Sequence, residues 1–295
     1  LRRLREAYSL SEAGDWERAA AAFAEVLASD PGIEDAWDLR GQAQQRAGRP
    51  ELALATYLEG LRATRQSPRL ALSAASLLAA SGRLTEAAEL AQLATGHDPA
   101  LAQVLLVRIA LAQGDLAAAE AAARAAVAVG DPRPEPALAL AEVLLAAGRP
   151  QEAEQALAGL AADQNPEALL ALGRLAAQRQ RWDEAGMLFE RARLADPDNP
   201  AVAVNLGLLA LARGQVAEGR TLLERGVVGA PGSFEGWNGL GMARVQSGDL
   251  EGAIAAWERA LALRPGAGEL LFNLGLAHAQ AGRPQRAAEY LEAYA

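Results

Sequence analysis

Histidine, cysteine, serine and the carboxylates do most of the chemistry open to a protein without a cofactor, and here they are scarce or scattered. The chain has two histidines, His97 and His278, far apart in sequence, and no cysteine. A zinc site or a general-base pair needs such groups brought within bonding reach of one another. The missing cysteine also removes disulfides, thiolate metal ligands and thiol nucleophiles. Nothing matches G-x-S-x-G, a P-loop or H-E-x-x-H. The pair Gly239 and Gly241 lacks the third glycine and the preceding strand of a dinucleotide fingerprint. The expectation is therefore no catalytic residue, no metal and no cofactor. What remains is recognition by arginine, carboxylate, amide and apolar side chains.

The charge narrows what is recognised. All 28 basic residues are arginine, against 37 acidic ones, giving a net charge of −9. The charges are interspersed, with no basic stripe for nucleic acid, and the acidic balance repels phosphate backbones. The longer uncharged runs, such as Asn199 to Ala212, are too short to span a bilayer. An arginine-only, cysteine-free chain fits a GC-rich bacterial source and either the cytoplasm or the periplasm. It starts at Leu1 with neither an initiator methionine nor a signal-peptide pattern, as expected of a piece of a longer protein.

Those side chains need elements to hold them. Hydrophobic residues make up 51% of the chain but aromatics only 4%, and alanine is the commonest residue. Alanine is the best helix former and leaves little bulk between packed helices. No segment alternates with the period of a strand. The composition predicts many closely packed helices.

Glycine sets their register. It recurs at Gly14, Gly48, Gly82, Gly114, Gly148, Gly214, Gly248 and Gly282, and Gln180 fills the one gap. The successive spacings are 34, 34, 32, 34, 32, 34, 34 and 34. Five residues after this position a small residue stands every time, from Ala19 and Ala53 to Ala253 and Ala287. Seven residues before it the residue is Ala7, Gly41, Ala75, Val107, Ala141, Gly173, Gly207, Gly241 or Gly275. Each unit thus reads as a helix ended by a left-handed glycine, a tight turn and a second helix. Pro50, Pro150 and Pro284 fall in the first turn of second helices, where a missing N–H does no harm. Pro31, Pro99, Pro197, Pro231 and Pro265 close units.

These units resemble the tetratricopeptide repeat family. The stretch from Phe234 to Ala267 carries Trp237, Leu240, Gly241, Ala253, Trp257, Ala260 and Pro265 at the motif offsets, departing only at Arg244. The stretch from Pro166 to Asn199 carries Leu172, Gly173, Ala185, Phe189, Ala192 and Pro197, and that from Glu34 to Ser67 carries Trp37, Gly41, Ala53 and Tyr57. Residues 68–165 match more loosely. The resemblance implies an all-α fold, an α-α superhelix of about nine helix-turn-helix repeats. They divide as 1–33, 34–67, 68–99, 100–133, 134–165, 166–199, 200–233, 234–267 and 268–295 of one continuous array. The three prolines between Asp131 and Pro136 mark either a kink or an irregular turn, and the turn is favoured because neighbouring repeats share buried faces.

In that family the first helices of successive repeats line the concave face, which puts Leu72, Leu101, Val104, Leu105, Leu138, Leu145, Leu170, Val204, Leu208 and Leu211 along a groove. A continuous apolar row of this kind marks a contact site, unless curvature buries it against the neighbouring repeats. Arg108, Glu142 and Arg174 share one position in three successive repeats. They could clamp a ligand carboxylate, but the intervening glutamate favours an internal charge ladder. Asn205 and Asn273, with Asn238 beside the intermediate position, stand where peptide-binding members carry an asparagine. Phe272 is the one aromatic at a groove position, either an anchor or a contact for a further repeat. The lysine clamp of chaperone-tail adaptors has no counterpart. The five tryptophans read as packing residues.

The resemblance implies a protein-interaction scaffold that binds a protein or peptide segment, within a longer bacterial protein. The alternative is a self-association or targeting module fused to an enzyme such as a sulfatase or glycosyltransferase. Self-association would run through the last helix, where Tyr290, Leu291 and Tyr294 lack a covering repeat.

Overall fold

The computed structural model describes residues 2–295, and its regular structure is entirely α-helical among them. The helices gather into two compact units, one up to Ala156 and one from Leu157 to Ala295. The first holds α1 (Arg2–Glu12), α2 (Trp16–Ser29), α3 (Glu34–Arg46), α4 (Pro50–Ala63), α5 (Pro68–Ala80), α6 (Leu84–Ala94), α7 (Pro99–Ala112), α8 (Leu116–Ala128) and α9 (Glu135–Ala146). The division falls within α10 (Pro150–Ala162). The second holds α11 (Pro166–Gln178), α12 (Trp182–Ala195), α13 (Pro200–Ala212), α14 (Val216–Gly229), α15 (Phe234–Gln246), α16 (Leu250–Leu263), α17 (Gly268–Gln280) and α18 (Pro284–Tyr294).

Short polar signals start and stop these helices. Between α3 and α4, Gly48 takes a left-handed φ of 73°, and the Arg49 N–H donates to the Gln44 carbonyl at 2.9 Å. This satisfies a carbonyl that the helix end would leave unpaired. The same bond recurs from Asp249 to Arg244 at 2.8 Å. It also forms at Gln180, where the Arg181 N–H meets the Ala176 carbonyl at 2.8 Å and a glutamine occupies the left-handed position with φ 59°. Asp15, Asp115 and Asp249 cap α2, α8 and α16, each accepting the N–H three residues on.

Within each unit the helix pairs close through volume exchange at two register positions. Where the first helix offers glycine, the second offers a large residue. Tyr57 lies against Gly41, Phe189 against Gly173 and Trp257 against Gly241, so closely that a β-carbon on any of these glycines would clash with the ring. Leu291 stands 2.6 Å from where a β-carbon on Gly275 would lie. Tyr57, Phe189 and Leu223 are fully or almost fully buried. Burying a side chain of this size stabilises by about 1.5–3 kcal/mol, and the missing β-carbon is what admits it.

Polar staples fix the loops. Trp37 and Trp237 occupy the same register position, and their indole N–H groups donate to the carbonyls of Pro31 and Pro231 at 2.8 and 2.9 Å. Asp38, buried between α3 and α5, pairs with Arg69 at 2.7 Å and accepts from Gln42 and Ser73. In the proline-rich junction before α9, Arg133 forks onto Asp131 and reaches Asp98 at 2.8 Å. That holds Asp131 at about 2, below its ordinary 3.8, chiefly through the guanidinium and with help from the Arg133 N–H. The Asp98 carboxyl is lowered by the same guanidinium.

Candidate protein-binding face

A partner can touch only what neighbouring helices leave uncovered, and the register separates the two classes. Ten residues before the turn position, Val104, Leu170 and Val204 are buried. Val204 shows why: a β-carbon on Gly236 of the following first helix would lie 3.2 Å from its methyl group. Six residues before the turn, the side chain is open in repeat after repeat. Tyr8, Gln42, Ser76, Arg108 and Glu142 are exposed in the first unit, and Arg174, Met242 and Leu276 in the second, with Leu208 half-buried. The row is polar from Gln42 to Glu142 and turns apolar along α13, α15 and α17.

The second unit has a cavity of about 700 Å³ on this row. Arg174 and Gln178 of α11, Trp182 of α12, Asn205 and Leu208 of α13, and Ser233 and Glu235 at the start of α15 line it. Val204 and Leu209 contribute apolar floor. Ser233 caps α15 through Gly236 at 3.0 Å, and Glu235 pairs with Arg264 at 3.4 Å. Arg264 in turn stacks on Phe234, 3.8 Å from the ring centroid. Arg174 is exposed and, among the described residues, has no ion-pair partner. The Asn205 amide donates to the Ala201 carbonyl of its own helix at 2.7 Å, which leaves its side-chain oxygen to accept.

The residues singled out from sequence separate accordingly. Leu105 and Leu170 belong to the core: they are 9% and 5% exposed and pack in apolar clusters with Ile109 and with Phe189. Leu105 packs against α5 and α6 of the preceding repeat and Leu170 against α10, α12 and α13, which leaves little of either side chain exposed. Leu101 and Leu138 are half-buried, and Leu145 is exposed. Asn238 is engaged internally, accepting the Trp257 indole N–H at 3.1 Å and facing Glu269 at 3.4 Å. Phe272 is 42% exposed and meets Tyr294 with ring centroids 5.5 Å apart, and Asn273 is half-buried.

The expected charge ladder is not formed. Arg108 and Glu142 make no ion pair with each other, and charge pairing between repeats runs elsewhere. It joins Arg49 to Glu17, Arg149 to Glu120 at 2.8 Å, Arg213 to Asp183 at 2.9 Å and Arg283 to Glu251 at 2.8 Å. Most of these pairs are open to solvent, where screening leaves them little net stabilisation, and they help fix register.

Trp182, expected as a packing residue, is 38% exposed and forms part of the cavity wall. Met242, Leu276, Gln178, Ser233 and Glu235 escaped the sequence reading. The signal for Met242 and Leu276 was the position six residues before the turn, and for Ser233 and Glu235 the start of α15, whereas Gln178 is the last residue of α11, two before the turn position. Either can be counted from the glycines once the open position is known.

His278 is buried on α17 and stacks on Tyr290, rings 5.3 Å apart and 10° from parallel, while His97 is exposed. Among the described residues no three His, Cys, Asp or Glu side chains are arranged to hold a metal ion. No described helix is long and apolar enough to cross a membrane.

Comparison with known proteins bears on the fold. A family model described as tetratricopeptide repeat matches residues 4–68, 39–102, 104–168, 138–200 and 238–295, and a second with the same description matches 176–240. No curated protein matches the sequence. Among solved structures, yeast Tom70 aligns with a TM-score of 0.67 and 17% identity over 94% of this chain and 61% of its own. This chain thus spans about three fifths of that protein. Cut9–Hcn1, the hetero-tetramer of the APC/C, gives a TM-score of 0.66 at 13% identity over 98% of this chain and 71% of its own. A tetratricopeptide repeat protein from Parabacteroides merdae gives 0.55 at 14% identity, over 94% and 97%. The fold is the all-α superhelical solenoid of helix-turn-helix repeats, and the eighteen described helices fit about nine of them.

Proposed function

Since the chain belongs to the tetratricopeptide repeat family, whose repeats serve as protein-interaction scaffolds, we propose that it holds a partner protein segment along the open row of first-helix side chains in the second unit. The segment would lie across Arg174, Leu208, Met242 and Leu276, with a carboxylate on Arg174 and apolar side chains toward Leu208 and Met242. The observation that carries this reading is the cavity beside Arg174, which pairs a guanidinium without an ion partner among the described residues with an apolar floor. An arginine fork on a carboxylate gives geometric specificity, and the apolar contacts give most of the affinity. In the first unit, Leu101, Arg108, Leu138, Glu142 and Leu145 would form a separate, more polar contact stretch. The reading assigns the chain no catalytic step.

Selection of random dodecapeptides on the immobilised protein tests it. Enriched peptides should place Asp or Glu beside Leu, Met or an aromatic. Their affinity should fall at least about tenfold, roughly 1.4 kcal/mol, in the double variant Leu208→Glu plus Met242→Glu. Met242 is exposed and Leu208 half-buried against the α13–α15 cluster, so the comparison counts only if circular dichroism and the unfolding midpoint show the double variant folded. Undiminished binding to that double variant would remove the proposal.

A second reading rests on the other end of the row. Phe272, Leu276 and Tyr294 are 42%, 45% and 54% exposed on α17 and α18, an apolar patch suited to a second copy of the chain. Concentration-dependent sedimentation that disappears in Phe272→Glu plus Tyr294→Glu would support it; a concentration-independent monomer would not.

A further inference from the structure

Second helices also border cavities, away from the face just described. One, in the second unit, lies between α12 and α14 over α13; another, in the first unit, lies between α4 and α6, and each measures about 700 Å³. Their electrostatics differ. In the former, Arg193 pairs with Glu190 at 2.7 Å and Arg213 with Asp183 at 2.9 Å, and Arg225 donates to the Pro197 carbonyl at 2.9 Å. That cavity is neutralised from within. In the latter, Arg62 and Arg65 line the rim, and among the described residues neither has an ion-pair partner. Glu89 is the only carboxylate on its lining, above a floor of Leu58, Leu61, Leu90 and Leu93.

The backbone at this rim is strained as well. Arg65 and Gln66 both take left-handed φ values, 55° and 69°. It is the one place among the described residues where two consecutive non-glycine residues do so, since Gln164 and Gln180 stand singly. That conformation is uphill for any residue with a β-carbon. Other junctions between repeats, at Pro31, Pro197, Pro231 and Pro265, turn without it.

We propose that the α4–α6 groove is a second docking site, for an acidic amphipathic helix of a partner protein. Leucine-like side chains of that helix would rest on Leu58, Leu90 and Leu93. Carboxylates one helical turn apart would meet Arg62 and Arg65, themselves three residues apart. A nucleic acid is a poorer occupant, because two arginines opposite a glutamate on a chain of net charge −9 do not offset phosphate repulsion. An anionic membrane meets the same repulsion over a wider area. The site is independent of the first-helix row, so either can fail without the other.

The probe is a fluorescein-labelled synthetic helix with leucines at i, i+3, i+4 and i+7 and flanking glutamates, compared by anisotropy with the same peptide carrying lysines. The glutamate peptide should bind at least about tenfold more tightly, and added salt should weaken it. Arg62→Gln plus Arg65→Gln should reduce that binding about tenfold, and Arg62→Glu plus Arg65→Glu should abolish it. Leu208→Glu plus Met242→Glu should leave it unchanged. The proposal is overturned if the two peptides bind alike, if charge reversal at Arg62 and Arg65 has no effect, or if the protein ignores both peptides and binds phosphatidylglycerol vesicles instead.

Discussion

Gly241 has no side chain, and the indole of Trp257 occupies the space one would need. The indole is 5% exposed and its N–H is bound by Asn238, so it cannot swing away without loss. Glycine and tryptophan here are two halves of one packing decision. Gly41 with Tyr57, Gly173 with Phe189 and Gly275 with Leu291 repeat it at the same register.

Gly241→Ala should therefore destabilise by about 1–3 kcal/mol through overpacking. Shrinking the partner should relieve the clash: in Gly241→Ala plus Trp257→Leu, the loss should fall short of the sum of the single losses by at least about 1 kcal/mol. A double-mutant cycle from urea unfolding reads this directly. Strict additivity would show that the two residues are not packed as described.

Gln180 is the natural test of the turn. It adopts the left-handed φ that glycine takes at the equivalent positions, with the same backbone bond closing the helix. Gln180→Gly should stabilise by about 1 kcal/mol, the strain removed exceeding the added flexibility of the unfolded chain. Denaturant midpoints at constant slope measure it, and a lowered midpoint would contradict the account.

Acid should loosen the junction before α9. Asp131 titrates at about 2 in the folded chain, below its ordinary 3.8, because Arg133 binds its charged form. A depressed folded value means the contribution is present above 3.8 and is lost as pH falls from there through about 2. Asp98 is shifted the same way by the same guanidinium. Thermal melts of Arg133→Gln should lose less stability over that interval than the parent protein does. Parallel curves would show that the fork contributes nothing to acid sensitivity.

His278 occupies a register position held by Leu78 and Leu144 elsewhere in the chain. It is 5% exposed, and neither ring nitrogen has a hydrogen-bond partner. An unsatisfied buried polar group costs about 1–3 kcal/mol. His278→Leu should therefore gain about 1 kcal/mol in urea unfolding at neutral pH, despite the lost stacking on Tyr290. A destabilised variant would show that the stack outweighs the missing hydrogen bonds.

The sequence by itself determined the helices, their turns and which face of each hairpin closes. Those depend on signals within a single repeat: a left-handed glycine such as Gly48, a proline such as Pro50 at a helix start, small residues such as Ala53 and Gly41 at fixed offsets. Local signals are legible because backbone geometry enforces them one repeat at a time. The identity of the exposed row was not legible in the same way. Leu105, Leu170 and Leu208 look alike along the chain, yet the first two are core and the third borders an open cavity. The guanidiniums of Arg62, Arg65 and Arg174, which have no ion-pair partner among the described residues, are likewise indistinguishable in sequence from the paired ones of Arg149 or Arg213. Burial and charge pairing depend on what the next helix brings against a side chain, roughly a whole repeat away, and only the tertiary structure decides that.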